Sequence, residues 1–287
     1  MNKNNTPIPR KPEWLKIKIP KAQANKHVNG LVISQKLHTI CESGNCPNAG
    51  DCWGRGTATF MILGDICTRA CKFCNVKTGK PFPVDTDEPQ KIAESVQSLK
   101  LKHAVITSVD RDDLPDGGAL IWVETIKKIK ALNPNTTIEV LIPDFDGKPE
   151  LIQQIIDAKP EVISHNLETV KRLTPQVRSK AKYTTSLNVL KQIADSGIVA
   201  KSGIMLGLGE MPDEILETMN DLRHVNCKVL TIGQYLQPTR NHHPVMEYIH
   251  PDVFTQYEKT GLEKGFSFVE SSPLVRSSYK ADRHVNA

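Results

Sequence analysis

Apolar, β-branched runs recur along the chain at Ala58–Leu63, His103–Val109, Thr137–Ile142, Glu161–His165, Val199–Leu206 and Lys228–Leu236. Their length and composition predict strands. Between them apolar positions return every three or four residues: Trp122, Ile126 and Ile129; Leu187, Leu190 and Ala194; Ile215, Met219 and Leu222. That spacing predicts helices with one buried face. Pro89 and Pro149 stand near two helix starts, where a missing N–H costs little. Six strand–helix alternations predict parallel βαβ units, and six are too few for a closed eight-fold barrel. The expected fold class is α/β, an open, partial (β/α)6 barrel whose chemistry sits at the C-terminal ends of its strands. A last helix near Asp252–Lys264 and a strand at Phe266–Ser271 lead into a tail. Residues 1–56 read as an N-terminal cysteine-rich extension that begins as an extended arm. Residues 57–250 read as the barrel, and 251–287 as a C-terminal helix, strand and tail that closes on it.

Composition narrows the class. With 287 residues, 39% of them hydrophobic, the chain can bury one large core. The net charge of +5 suits an acidic protein partner or an anionic ligand. Aromatics make up 5% and the Lys and Arg residues are scattered, which argues against a nucleic-acid-binding module. No apolar run reaches the ~18–20 residues that span a bilayer. Met1–Lys11 has no apolar core of a secretion signal, so the expected location is cytoplasmic, without membrane association.

Cysteine changes the picture most. Of seven, six fall between Cys41 and Cys74, and Cys227 stands alone. A reduced chain of this size needs no disulfide framework, so clustered thiols read as metal ligands. Cys67-Thr-Arg-Ala-Cys71-Lys-Phe-Cys74 has the spacing C-x3-C-x2-C directly after the first barrel strand. Three thiolates can hold three irons of a [4Fe–4S] cube, leaving the fourth open to a ligand. S-adenosylmethionine can chelate such an iron through its amino and carboxylate groups. Zinc prefers paired C-x2-4-C units, and no second pair of that kind is present. Upstream, Cys41-x4-Cys46-x5-Cys52 lies in a stretch dense in Gly and Asn and reads as a loop holding a second [4Fe–4S] cluster. Its fourth ligand must come from elsewhere. Cys227 is read as a core or surface thiol.

The C-x3-C-x2-C motif with Phe73 before its last cysteine resembles the radical S-adenosylmethionine superfamily, whose usual fold is a partial TIM-like (β/α)6 barrel. Both cysteine motifs together with Arg276-Ser-Ser-Tyr279 resemble the lipoyl synthase family. That resemblance implies a serine ligand to the auxiliary cluster, with Ser278 favoured and Ser277 the alternative. It implies that Gly117-Gly118 lets backbone approach the amino acid part of S-adenosylmethionine, and that Asn166 and Glu168 hydrogen-bond the cofactor. For these residues a helix start, a cap and a surface charge are the competing readings. Met205-Leu-Gly-Leu-Gly-Glu210 could make a platform for adenine or ribose, though G-x-G alone is a weak signal.

The resemblance further implies an enzyme, a sulfurtransferase. It would insert two sulfur atoms, at C6 and C8, into an octanoyl chain on a lysine of a carrier domain. An adenosyl radical would remove hydrogen, and the auxiliary cluster would supply the sulfur and be consumed. The implied partners are octanoylated carriers like the glycine cleavage H protein and the 2-oxoacid dehydrogenase E2 subunits, a flavodoxin- or ferredoxin-like reductant, and an iron–sulfur carrier. Two rivals remain: another radical enzyme with an auxiliary cluster, and a metal-stabilised nucleic-acid-binding module. Anaerobic reconstitution with iron and sulfide separates the classes. About eight irons per chain are expected for two cubes, whereas bound zinc without visible charge-transfer absorption would point to the binding module.

Overall fold

The computed structural model describes residues 10–16, 37–43, 46, 48, 52 and 57–287, apart from the side chains of Cys41, Glu42, Thr57 and Ala58. Most of the expected N-terminal arm and most of the cysteine-rich stretch before Arg55 lie outside these residues. Inside them, Glu13–Leu15 is a 3-10 turn with Leu15 buried. In chain order the first elements are β1 (His38–Thr39), α1 (Ile40–Ser43), β2 (Thr57–Ile62), β3 (Ile66–Cys67), β4 (Lys77–Thr78), α2 (Glu88–Ser98) and β5 (His103–Ser108). Next come α3 (Ala119–Leu132), β6 (Thr137–Leu141), α4 (Pro149–Asp157), β7 (Val162–Ser164), α5 (Thr174–Val177) and α6 (Tyr183–Asp195). The last are β8 (Val199–Leu206), α7 (Pro212–His224), β9 (Val229–Gln234), α8 (Pro251–Glu263) and β10 (Phe268–Ser271), followed by a 3-10 segment at Ala281–Asn286. Cys41–Ser43, expected in a loop, is the end of α1: Ile40 and the cysteine continue directly from β1 as a single helical turn.

Each of the six apolar runs is a strand, and all pair in parallel in sequence order. Thr57 lies opposite His103, His103 opposite Thr137, Val162 opposite Val199, and Lys201 opposite Val229. Because every crossover returns to the adjacent strand with the same hand, the intervening helices fall on one side and the sheet curls around its other face. The terminal strand does more than lead into the tail. β10 pairs in parallel with β9, Phe268 opposite Val229, and so extends the sheet. At the other end β1 pairs antiparallel with β2. The eight strands run in the order β1-β2-β5-β6-β7-β8-β9-β10, with β1 and β10 as edges among the described residues. The result is an unclosed barrel.

The core divides by face. Outward residues such as Phe60, Ile106, Ile138, Val140 and Ile163 pack on Ile92, Trp122, Ile126 and Ile155. Leu190, Ile204, Leu230 and Ile232 pack on Ile215, Met219, Leu222 and Phe254. The stripe on α6 is turned from expectation: Tyr183, Ser186, Val189, Leu190 and Ile193 are buried, and Leu187 and Ala194 sit at its margin. The reason is packing on both sides, because Val189 and Ile193 face one cluster and Leu190 the other. Cys227 is fully buried just before β9, its thiol directed at the carbonyls of Ala200 and Val229.

Inside the barrel, Val162, Val199 and Val229 form a small apolar floor with Phe268, Val285 and Ala287. The tail after β10 runs through this interior. Gln234 N–H donates to the Pro273 carbonyl at 3.1 Å. Gly233 lets the chain pass: a Cβ there would collide with the Val275 carbonyl oxygen. Gly233→Ala should therefore displace the tail at a cost of about 1–3 kcal/mol. The expected result is a lower unfolding midpoint with new protease sensitivity around Arg276, and an unchanged midpoint would contradict this packing.

Candidate active site

The residues that follow the strand ends gather at one rim. Cys67 ends β3, just past β2, and its loop is held from three sides. Towards β5, Thr68 N–H and Oγ1 donate to the Asp110 carbonyl at 3.1 and 2.9 Å, and Asp110 N–H donates to Cys67 Sγ at 3.3 Å. Towards α5, Lys72 N–H donates to Val177 and Ala70 N–H to Ser179 Oγ, which also lies 3.6 Å from Cys71 Sγ. Towards the loop after β9, His243 N–H donates to the Lys72 carbonyl, and His242 Nε2 donates to that of Cys74 at 2.9 Å.

Arg69, inside the C-x3-C spacer, ties these loops together. Its guanidinium takes Asp112 through two 2.8 Å bonds, Asp144 through a third at 2.8 Å, and Asp110 at 3.3 Å. A planar fork can satisfy several carboxylates at once in a way an ammonium cannot. Arg111 repeats the device on Asp113, with two bonds at 2.9 Å, and reaches the Leu63 carbonyl. The sequence reading missed this latch. The available signal was an Arg between two metal cysteines and the run Asp110-Arg-Asp-Asp113 directly after a strand.

Burial pushes the Cys67 thiol up to about 11, with Asp110 adding to it, and burial pushes Cys74 up to about 12, aided by the other two cysteines. The three sulfurs thus feel one another, and anionic thiolates here call for a positive centre. Among the described residues no three such groups converge closely enough for a single ion. A cubane takes each thiolate on a separate iron, so it suits ligands set further apart. The donor set fits a cluster bound by three thiolates.

Asn166 and Glu168 follow β7 beside this rim. Asn166 is buried and donates to Ser277 Oγ at 2.8 Å, while its Oδ1 has no partner among the described residues. Glu168 has a left-handed backbone and is clamped by Gly203 and Met205. Burial raises its carboxyl above the ordinary value, against the pull of Arg178. Arg178 also donates to Ser186 Oγ, which bonds His165 Nε2, while His165 Nδ1 donates to the Ile142 carbonyl. Burial and Arg178 push that imidazole down to about 4, so the chain of bonds contains a neutral histidine.

Gly117 and Gly118 precede α3 with positive φ. Their N–H groups donate to Leu114 and Asp116, and a Cβ on either would press on Phe145 at 3.1 Å or Leu63 at 2.5 Å. The pair thus has a packing role of its own.

Deeper in the barrel lies a cavity of about 150 Å3. Cys46, Arg276, Ser277 and Ser278 border it, with Thr59, Val105, Thr107 and Leu141 from the strands and Glu139 below. The upstream cysteine motif and the tail serines therefore meet at one place. Asn48 Nδ2 donates to the Leu274 carbonyl at 2.6 Å, and Asn75, beside Cys74, donates to the Ser43 carbonyl. These bonds join the upstream motif to the tail and to the second motif. Cys52 is buried, and the Cys41 side chain lies outside the described residues.

The model of the Radical SAM superfamily matches residues 61–222. A lipoyl synthase of Bacteroides fragilis (strain YCH46) is 65% identical over 276 residues, 96% of this chain and 96% of the relative. The chain belongs to the lipoyl synthase family. A lipoyl synthase of Treponema denticola is 64% identical, covering 96% of this chain and 95% of its own. Among solved structures, Streptococcus suis SuiB bound to S-adenosylmethionine superposes with a TM-score of 0.59 at 10% identity, over 73% of this chain and 48% of that one. This likeness confirms the radical SAM α/β fold. Lipoyl synthases are radical SAM sulfurtransferases, and membership implies a [4Fe–4S] cluster, S-adenosylmethionine and an octanoylated carrier protein as substrate. No helix among the described residues is long and apolar enough to cross a membrane.

The Arg69 latch has a pH signature. Arg69 holds the Asp112 carboxyl down to about 2, from 3.8. A folded value below the unfolded one gives stability that is complete above ~4 and is lost as pH falls towards 2. Asp112→Asn should flatten that part of the acid-unfolding curve. Arg69→Ala, which strands the buried Asp144, should cost about 3–5 kcal/mol in urea denaturation at neutral pH. A loss below 1 kcal/mol would mean the latch does not hold the loop.

Proposed function

We propose that this chain builds lipoyl groups in place on octanoylated carrier domains, drawing both sulfurs from a second [4Fe–4S] cluster held by Cys41, Cys46, Cys52 and Ser278. The observation that carries it is the meeting of Cys46 and Ser278 at one cavity inside the barrel, below the rim of Cys67, Cys71 and Cys74. When bound, the rim cluster with S-adenosylmethionine supplies a radical able to take hydrogen from an unactivated carbon, and the second cluster supplies sulfide. Everything else falls to the chain: placing an alkyl chain between the two sites and keeping water out.

Several features support the assignment of individual residues. Ser277 Oγ is already bonded by Asn166, whereas Ser278 Oγ makes no hydrogen bond among the described residues. Ser278 is therefore the better ligand, and a serine oxygen is a harder, weaker partner for a cluster iron than thiolate. The orphaned Oδ1 of Asn166 is suited to accept from the ammonium or a ribose hydroxyl of S-adenosylmethionine, with Glu168 beside it. Gly117 and Gly118 have spent their N–H groups, so a contact from this pair to the cofactor's amino acid part would use the Gly117 carbonyl. Val105 and Leu141 offer the alkyl chain apolar contact on the cavity wall.

The carrier partners are domains like the glycine cleavage H protein and the 2-oxoacid dehydrogenase E2 subunits, met in the cytoplasm. Carriers of this type are generally acidic, and the +5 chain gains encounter rate from that complementarity. A flavodoxin- or ferredoxin-like donor supplies electrons, and an iron–sulfur carrier restores the consumed cluster. The test is anaerobic turnover on an octanoyl-lysine peptide, read by mass spectrometry beside 5′-deoxyadenosine. With Cys41, Cys46 and Cys52 all changed to Ala, 5′-deoxyadenosine should still form and dithiolated product should be absent. With Cys71→Ala, neither should form. Product from the triple variant would place the sulfur source elsewhere. If Ser277→Ala abolishes product and Ser278→Ala does not, the neighbouring hydroxyl is the ligand.

A further inference from the structure

A buried polar cluster lies below the cavity and shares only Glu139 with its lining. Glu139 on β6 and Lys201 on β8 lie on the inner face, between outward-packed neighbours Ile138 and Val140 on one strand and beside Ala200 on the other. Lys201 Nζ donates to both Glu139 oxygens at 2.7 and 3.0 Å, and Ser164 Oγ donates to Glu139 Oε1 at 3.1 Å. Lys201, Glu139 and Ser164 are each 0% exposed. An ammonium carries three donors and no acceptor. Two are used by Glu139, and the sheet offers nothing for the third. It is met by His284 Nδ1 at 3.1 Å, from the last residues of the chain.

The same segment is held by shape. The His284 ring lies 5.7 Å from that of Phe268, and Val285 and Ala287 complete the floor of Val162, Val199 and Val229. Just before it, Lys280 pairs with Glu270 at 3.1 Å. Only residues 279–283 separate His284 from Ser278, and Ala281 N–H donates to the Ser278 carbonyl. A tail fixed at the floor therefore has little freedom at the cavity. A buried ammonium left with an open donor is costly, which favours the docked tail, while the His284 Nε2–H, buried without a partner among the described residues, offsets part of that gain.

We infer that His284 is a positioning residue, and that its contact with the Glu139–Lys201 pair pins the end of the chain to the barrel floor and so fixes the Arg276–Tyr279 segment at the cavity. The catalytic consequence rests on the proposed function, since it takes Ser278 as the cluster ligand; the anchor does not. His284 must be neutral and protonated on Nε2 to accept from Lys201. Gln offers a carbonyl oxygen in a similar position, whereas Leu fills the space and leaves one donor of the ammonium open while its pairing with Glu139 stays.

Three variants test this: His284→Leu, His284→Gln, and a chain ending at Lys280. The first measurement is amide hydrogen exchange of the cluster-free protein. In His284→Leu, residues 275–287 should exchange about tenfold faster or more with the barrel strands unchanged, and Gln should restore most of the protection. The second measurement is turnover after reconstitution. His284→Leu should form 5′-deoxyadenosine within about twofold of the unchanged protein, yet yield at least about tenfold less dithiolated product per cofactor cleaved, with Gln again restoring coupling. Unchanged tail exchange in His284→Leu would overturn the anchor. A loosened tail with full coupling would overturn its role in positioning. Should His284→Leu lose protection across the whole sheet, the chain ending at Lys280 decides: uncoupled turnover supports the inference and coupled turnover sinks it. If the unchanged protein makes no dithiolated product, the functional reading falls, while the exchange result still decides the anchor.

Discussion

A parallel sheet that curls without closing has an inner face that nothing in the sheet itself can cover. Helices shield the outside, because each crossover delivers one there. The inside must be filled by chain from elsewhere, or its strands would line an open trough. In this protein the segment after β10 supplies filling on that face. β1 caps the edge of β2, and the segment after β10 returns through the interior to the floor. Small residues make the room. A Cβ on Gly203 would meet Thr231 Oγ1 at 2.6 Å and Asn166 Oδ1 at 3.0 Å, and one on Gly233 would strike the tail backbone. The place where Ser277 and Ser278 stand is thus set by the need to fill a barrel that lacks strands.

The rim above follows a different rule. Burial pushes the Cys67 and Cys74 thiols up, so these two favour neutral sulfur in the cluster-free site, and metal binding there must release protons. Close by, Arg69 and Arg111 bond four aspartates on the loops that carry and flank the motif. The separation keeps fixed positive charge engaged in holding backbone and leaves the sulfurs facing an environment short of cations. A metal centre is then the most favourable source of positive charge for them.

Much of this was legible in the sequence. The six runs became strands because a sheet covered on both faces needs continuous apolar stretches, and such stretches are hard to mistake when helices separate them. The C-x3-C-x2-C motif carried its own meaning through spacing. What stayed hidden was long-range. Phe266–Ser271 looks like any short strand, and only the tertiary pairing with Val229–Ile232 makes it part of the main sheet. Asn166 entered through the family resemblance, but its partner here, Ser277, lies in the distant tail. Glu139 and Lys201 could have been noticed as charges inside otherwise apolar strands. Nothing local, however, says that the two face each other or that His284 completes them. Pairings across such distances are fixed by topology, and single-sequence periodicity has no access to it.

The bond between Asn48 and the Leu274 carbonyl joins the first part of the chain to nearly the last. During synthesis the protein emerges from its N-terminus, and domains fold as their parts become available. The rim around Cys67 has most of its partners once the chain has passed Asp144 and Ser179, and the last of them with His242 and His243. The cavity that joins Cys46 to Ser278 has no second wall until Arg276, Ser277 and Ser278 have been made. The two halves of the site are therefore born at different times. The upstream cysteines are made long before the tail residues that border the same cavity, so that part of the site can be completed only late.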